Sequence, residues 1–117
     1  MTRVRYHEAA EVELLNEIGY LEVQAKGLGR RFFAEVRRAE SLIAQFPDSA
    51  VEIRPGIRKR MVRKFRHSLI YSVEKESLLI LAVAHQSRRA DYWVARVNSG
   101  ERGTEAEAQQ SPETDGR

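Results

Sequence analysis

Residues 57–93 read IRKRMVRKFRHSLIYSVEKESLLILAVAHQSRRADYW, and the fold turns on this stretch. It opens as a basic run that keeps apolar residues at intervals. Two strongly apolar segments follow, Leu69–Val73 and Leu78–Ala84, parted by the polar Glu74-Lys75-Glu76-Ser77. A polar exit then carries Arg88, Arg89 and the adjacent aromatics Tyr92 and Trp93. Apolar residues recurring with period two mark strands. The pattern predicts an antiparallel meander of Ile57–Phe65, Ser68–Glu74 and Leu78–His85, with functional groups at its C-terminal end.

In the first of these strands Ile57, Met61 and Phe65 share one face, with Lys59 and Arg63 between them. Arg58, Arg60, Val62, Lys64 and Arg66 fall on the other, and a face that charged must see water or a partner. In the second, Leu69, Tyr71 and Val73 alternate with Ile70, Ser72 and Glu74. The third is apolar on both faces until its end, as a central strand is. Residues 74–77 are short enough for a hairpin connection.

The chain before the meander reads as its cover. A first helix is expected from near Glu8, with Glu8 and Glu11 placed where negative charge suits the helix dipole. Leu14, Leu15, Ile18, Leu21 and Ala25 fall on one of its faces, and Gly27-Leu28-Gly29 stops it. A second helix is expected from about Gly29 to Gln45. Its stripe Phe32, Val36, Ala39, Ile43 and Phe46 is spaced 4, 3, 4, 3, and Pro47 ends it. Core packing is the expected use of these aromatics. Arg3–Tyr6 alternates like a short edge strand, and Val51–Arg54 suits a short extended piece before the Pro55-Gly56 turn. Asp91 suits the cap of a short last helix over Tyr92–Val97.

The expected class is therefore α+β: a short N-terminal strand and an αα-hairpin packed on a small antiparallel sheet, with a short C-terminal helix. Residues 1–98 form the expected domain. Beyond Val97 there is no Leu, Ile, Val, Phe, Tyr or Trp, so residues 99–117 are expected to be a disordered acidic tail.

A chain of 117 residues fits one domain. It has no cysteine, hence no disulfide framework and no thiolate metal site. No apolar run approaches the ~18 residues of a membrane span, and no apolar segment of a signal peptide follows Met1–Arg5. A cytoplasmic protein without a membrane partner is expected. The charge is uneven: residues 1–100 hold 18 Lys/Arg and 12 Asp/Glu (18 − 12 = +6), and residues 101–117 hold 2 and 5 (2 − 5 = −3). A basic body suggests an anionic partner.

The strongest chemical signal is residues 54–66, with seven Lys/Arg and no acid: Arg54, Arg58, Lys59, Arg60, Arg63, Lys64 and Arg66. Crowded guanidinium groups bind phosphate or dock an acidic peptide. The bland alternative is a solvated strand face, which uncompensated self-repulsion disfavours. The exit cluster is His85, Arg88, Arg89, Tyr92 and Trp93. His85 lies at the edge of the core, where a histidine is more often structural, though it titrates near neutrality and can act as acid or base. Tyr92 and Trp93 pack or stack on a base. Arg88 and Arg89 can neutralise a phosphate. His7, His67 and His85 read as far apart and lack metal-ligand spacing, so no metal or other cofactor is expected. Glycine-rich phosphate loops and Gly-x-Ser-x-Gly elbows are absent. These residues suit phosphodiester chemistry better than acyl or glycosyl transfer.

The order of these motifs resembles the RelE/ParE family of toxins from type II toxin–antitoxin systems, over roughly residues 3–97. The resemblance rests on Arg63-Lys64-Phe65, Leu69-Ile70-Tyr71-Ser72-Val73, Ile80-Leu81-Ala82-Val83-Ala84-His85, Arg88-Arg89 and Tyr92-Trp93. It implies an αα-hairpin on a small antiparallel sheet and a toxin neutralised by a cognate antitoxin, whose segment crosses the toxin's groove. One branch of the family cleaves mRNA at the ribosome; the other poisons DNA gyrase. A nuclease would draw on Arg60, Arg63, His85, Arg88 and Tyr92. Target or antitoxin binding would draw on Arg58, Lys59, Arg60, Arg63, Lys64, Arg66, Arg89 and Trp93. The Arg-Arg-x-x-Tyr-Trp exit is closer to the ParE-like members, which puts a gyrase poison first. A ribosome-dependent endoribonuclease comes second, and an inactive basic binding module third.

Overall fold

A computed structural model describes residues 2–97. The elements run β1 (Arg3–Tyr6), α1 (Glu8–Gln24), α2 (Leu28–Gln45), β2 (Val51–Arg54), β3 (Ile57–Met61), β4 (His67–Val73) and β5 (Ser77–His85). The five strands make one sheet in the order β1-β5-β4-β3-β2. The expected meander is its centre, with β3, β4 and β5 antiparallel in turn. β2 extends it antiparallel on one edge, and β1 joins the other edge parallel to β5, so the sheet is mixed. The expected tail lies outside the described residues.

α1 starts where His7 accepts the Ala9 N–H on Nδ1 at 2.9 Å, with Glu8 and Glu11 in the first turn. The hairpin closes at Gly27, whose φ of 86° suits glycine. The Glu22 carboxylate caps the start of α2, accepting from Gly27 N at 2.8 Å and Gly29 N at 3.0 Å. Those bonds hold its carboxyl below the usual range. At Gly29 the helices nearly touch: a Cβ there would stand 2.4 Å from the Ile18 carbonyl oxygen.

The main core lies between the hairpin and one face of the sheet. Phe32, Val36, Ala39 and Ile43 of α2 bury there with Leu69, Tyr71, Leu78 and Ile80. A second, smaller cluster lies on the opposite face, where Ile57, Ile70, Leu79 and Leu81 meet Trp93. Three residues of the expected helical stripes are exposed instead, Ala25 among them at the extended C-cap of α1. Leu15 is 62% exposed because α1 turns its Ala10–Leu14 side inward. Phe46 is 57% exposed because the helix ends at that position.

The strand expected over Ile57–Phe65 stops at Met61. Residues 62–66 form the turn into β4, with Val62 N bonded to His67 O at 2.8 Å and Lys64 at a φ of 71°. Alternation holds through Val62, which shares the face of Arg58 and Arg60 and is 1% exposed in the main core, while Met61 is 64% exposed; it fails beyond, where the turn brings Phe65 to the main core instead of the face of Ile57.

Along β5 the register slips by one: Tyr71 pairs with Ile80, but Ile70 pairs with Ala82, leaving Leu81 as the extra residue. Such a bulge shifts which face each later side chain joins. The chain then folds over the second cluster. Residues 90–95 are turns, and helical hydrogen bonding begins at Arg96–Val97, so most of the helix expected over Tyr92–Val97 is a run of turns. β1 ends at Tyr6, opposite Ile80. Beyond that point two side chains replace the missing strand. Glu13 accepts the Val83 N–H at 3.0 Å and Arg96 donates to the Leu81 carbonyl at 2.9 Å, meeting the need of buried backbone for partners.

Candidate functional site

The strand alternation of β3 sends its basic residues to opposite faces of the sheet. Arg58 and Arg60 lie opposite Tyr71 and Leu69, on the helix side. Arg58 Nη1 donates to the carbonyls of Asp48 and Ala50 at 3.1 and 2.7 Å, and Arg60 Nη2 donates to Ser49 Oγ at 2.8 Å. These two arginines fasten the α2–β2 connection. From the following turn, Arg63 pairs with Glu35 of α2 at 3.4 Å, a carboxylate that Arg38 also meets at 3.3 Å. The Arg63 bond is the main reason the Glu35 carboxyl is held below its ordinary value. Lys64 adds a positive field there. The single basic surface expected over residues 54–66 is thus divided.

The other face carries a groove of ≈ 450 Å³, floored by Ile70 and walled by Trp93 and Met61. Five cations line it: Arg54 from β2, Lys59 from β3, Arg66 from the β3–β4 turn, and Arg88 and Arg89 from the exit. Among the described residues one carboxylate lines it, Asp91, which pairs with Arg89 at 3.3 Å. The lining charge is 5 − 1 = +4. Trp93 is 2% exposed, and its Nε1 donates to the Ala90 carbonyl at 3.0 Å. The Arg54 guanidinium stands 5.9 Å from its ring centroid, and that of Arg88 lies 3.8 Å over Tyr92. A basic rim over an apolar floor takes an acidic, partly apolar segment or a phosphate chain.

Tyr92 contributes its ring rather than its hydroxyl. Burial, and then the neighbouring Glu13 carboxylate, push its phenol up to about 12. At neutral pH it stays protonated and is a poor base. His85 Nδ1 accepts the Ser87 N–H at 3.0 Å, which leaves the proton of the neutral ring on Nε2.

Of the candidate nuclease residues, His85, Arg88 and Tyr92 line the groove; Arg60 and Arg63 are engaged with Ser49 and Glu35. Of the candidate binding residues, Lys59, Arg66, Arg89 and Trp93 line it. Arg58, Arg60, Arg63 and Lys64 do not. Arg54, named in the basic run but not among the binding candidates, joins the lining with Met61 and Ile53.

The histidines are not all far apart. His67 and His85 are cross-strand partners, with ring centroids 4.9 Å apart at 90°. Counting back from the β4–β5 turn without the bulge pairs His67 with Ala84, so only the slipped register reveals the contact. His67 is 4% exposed against Phe32, and its Nε2 stands 3.3 Å from Glu17 Oε1 but out of line for a hydrogen bond. Burial lowers its pKa, Glu17 opposes that, and His85 adds to it. No group of three or more His, Cys, Asp or Glu among the described residues is arranged to hold a metal ion.

Comparison with known proteins agrees with this architecture. The family described as the ParE toxin of the type II toxin–antitoxin system parDE matches residues 4–90. A solved structure described as the chromosomal ParDE TA system from P. aeruginosa is similar in fold, with a TM-score of 0.61 and 14% sequence identity. The match covers 73% of this chain and 96% of that one. No curated protein matches.

Proposed function

This chain belongs to the ParE toxin family of type II toxin–antitoxin systems, and from that premise we propose that it arrests growth by binding DNA gyrase rather than by cutting RNA. It is a toxin whose system includes a cognate antitoxin. The proposal adds the target and assigns the basic groove to an acidic stretch of that antitoxin.

One observation carries the choice of target. Cleaving a phosphodiester through its own 2′-hydroxyl needs a base, an acid and a cation converging on one phosphate. Arg60 and Arg63 are held by Ser49 and Glu35 on the helix side, while His85, Arg88 and Tyr92 line the groove on the other face. Tyr92 keeps its proton there. Such a divided set supports a binder over a nuclease.

The test uses the purified chain in two assays. Inhibited supercoiling or stabilised cleavage complexes with purified gyrase, and intact message in a reconstituted translation reaction, is the expected pair of results. Cut message together with unaffected gyrase overturns the proposal in favour of the endoribonuclease. Unimpaired growth on expression favours the inactive binding module. No helix among the described residues is long and apolar enough to cross a membrane.

A further inference from the structure

The cations of the groove meet almost no anion within the protein. Arg54, Lys59, Arg66, Arg88 and Arg89 are all exposed, and they come from β2, β3, the β3–β4 turn and the exit. Among the described residues no carboxylate pairs with Arg54, Lys59, Arg66 or Arg88. Arg88 over Tyr92 and Arg54 beside Trp93 are steadied by aromatic rings without being neutralised. Like charges gathered this way repel one another, and an anion from outside relieves them.

What a ligand meets there is mostly charge. The floor is covered, with Ile70 3% and Trp93 2% exposed. Met61 and Ile53 are the large apolar side chains of the lining left open. His85, with its proton on Nε2, and Gln86 add uncharged donors. Cations with a few neutral donors over little open apolar surface suit a sugar–phosphate backbone.

The extent of the groove fits as well. Its lining runs from β2 through β3 and β4 to β5. That is three inter-strand steps of about 4.8 Å, or roughly 14 Å in all. One strand of duplex DNA advances ~3.4 Å per phosphate, so about four phosphates fall within that length. The lining charge of 5 − 1 = +4 matches them.

We propose that the groove of the free toxin holds the backbone of the DNA that gyrase has engaged, so that enzyme and DNA are gripped together. This rests on the gyrase reading and names the second component that the toxin binds. The antitoxin's acidic stretch then neutralises the toxin by standing where the DNA phosphates lie.

The test pairs a duplex-binding titration with a supercoiling assay, on the purified full-length chain. Two groove variants, R88A/R89A and K59A/R66A, are compared with R31A/R38A. The last loses the same charge from exposed positions of α2, which packs on the other face of the sheet. Trp93 fluorescence confirms that each variant is folded. The wild type is expected to bind a plain duplex of about 30 base pairs with a dissociation constant of roughly 1–100 µM, weakening steeply with salt. Each groove variant weakens it at least tenfold and lowers the logarithmic salt slope by about two, while R31A/R38A stays within about twofold. With gyrase, the groove variants need at least tenfold more protein for equal inhibition, and R31A/R38A keeps wild-type potency.

A wild type that leaves the duplex unbound overturns the proposal. So does an equal loss in R31A/R38A, which makes the attraction general rather than the groove's. Full gyrase inhibition by the groove variants also overturns it and leaves the groove to the antitoxin alone. The duplex titration contains no gyrase. Duplex bound through the groove beside an uninhibited gyrase therefore overturns the gyrase reading and keeps the DNA contact.

Discussion

The Glu13 carboxylate and the Arg96 guanidinium, 83 residues apart in the chain, meet through two parallel hydrogen bonds of 3.0 and 2.8 Å. Each side chain is 18% exposed. The pair ties α1 to the segment that covers the groove's aromatic wall, and each member also holds a β5 backbone group. Removing either side chain leaves a partly buried charge and an unmet peptide group. Arg96→Ala and Glu13→Ala are each expected to destabilise the fold by about 2–3 kcal/mol. The double variant should lose less than the sum. Urea unfolding followed by the single tryptophan, Trp93, measures both.

The divided basic residues give opposite phenotypes. Arg88→Ala combined with Arg89→Ala should weaken antitoxin binding at least tenfold and flatten its salt dependence, while changing stability by less than about 0.5 kcal/mol. Arg58→Ala should leave antitoxin affinity within about twofold but cost about 1–2 kcal/mol, because two carbonyls lose their donor. Calorimetric titration against the antitoxin, beside denaturant melts, checks the pair. Equal loss of affinity in both variants would remove the groove from the interface.

Tyr92→Phe should retain full toxicity, since its hydroxyl faces Glu13 and not the groove. It should also change alkaline behaviour. The phenol is near 10 when unfolded and about 12 when folded. The unfolded state therefore loses its proton first, and stability falls as pH rises from about 10 toward 12. Tyr6, whose hydroxyl bonds Glu40, is raised further by burial and that carboxylate, and adds to the same loss. The variant should lose less stability over that window, measured by denaturation at stepped pH.

His67 works in the acid direction. Its folded pKa is below its unfolded value near 6.5, chiefly through burial. The unfolded chain binds the proton more readily, so stability is full above about 6.5 and declines as pH falls through the lowered value. His7, also lowered first by burial, contributes in the same sense. His67→Leu should reduce the slope of stability against pH below about 6.5 without abolishing it. An unchanged slope would show that His67 is solvated.

Much of the fold was legible because packing in this chain follows simple periods. The α2 stripe from Phe32 to Ile43 is buried as its spacing requires, and the doubly apolar β5 is a central strand. The failures are places where one residue breaks a period. Lys64 in the left-handed region ends β3 early, and no local rule favours lysine there. Leu81 bulges, so counting from the hairpin misplaces His67. The parallel docking of β1 is a long-range choice that four residues cannot announce. The site was legible by composition but not by geometry. Arginines of like character in one short run separate according to the face each occupies, as Arg58 and Lys59 do at adjacent positions.

The odd residue at Leu81 reaches further than a local irregularity. Side chains alternate along a strand, so one inserted position inverts the inside and outside of all that follows. Because of it, Leu81 and Ala82 both join the Trp93 cluster, Val83 returns to the main core, and His85 arrives across from His67. Were Leu81 instead taken into the regular ladder, His67 would face Ala84 and every later side chain would change sides, carrying Arg88 and Arg89 away from Lys59 and Arg66. The toxin's cationic cleft is in this sense a product of arithmetic: two neighbouring strands of unequal count, whose mismatch aims everything downstream.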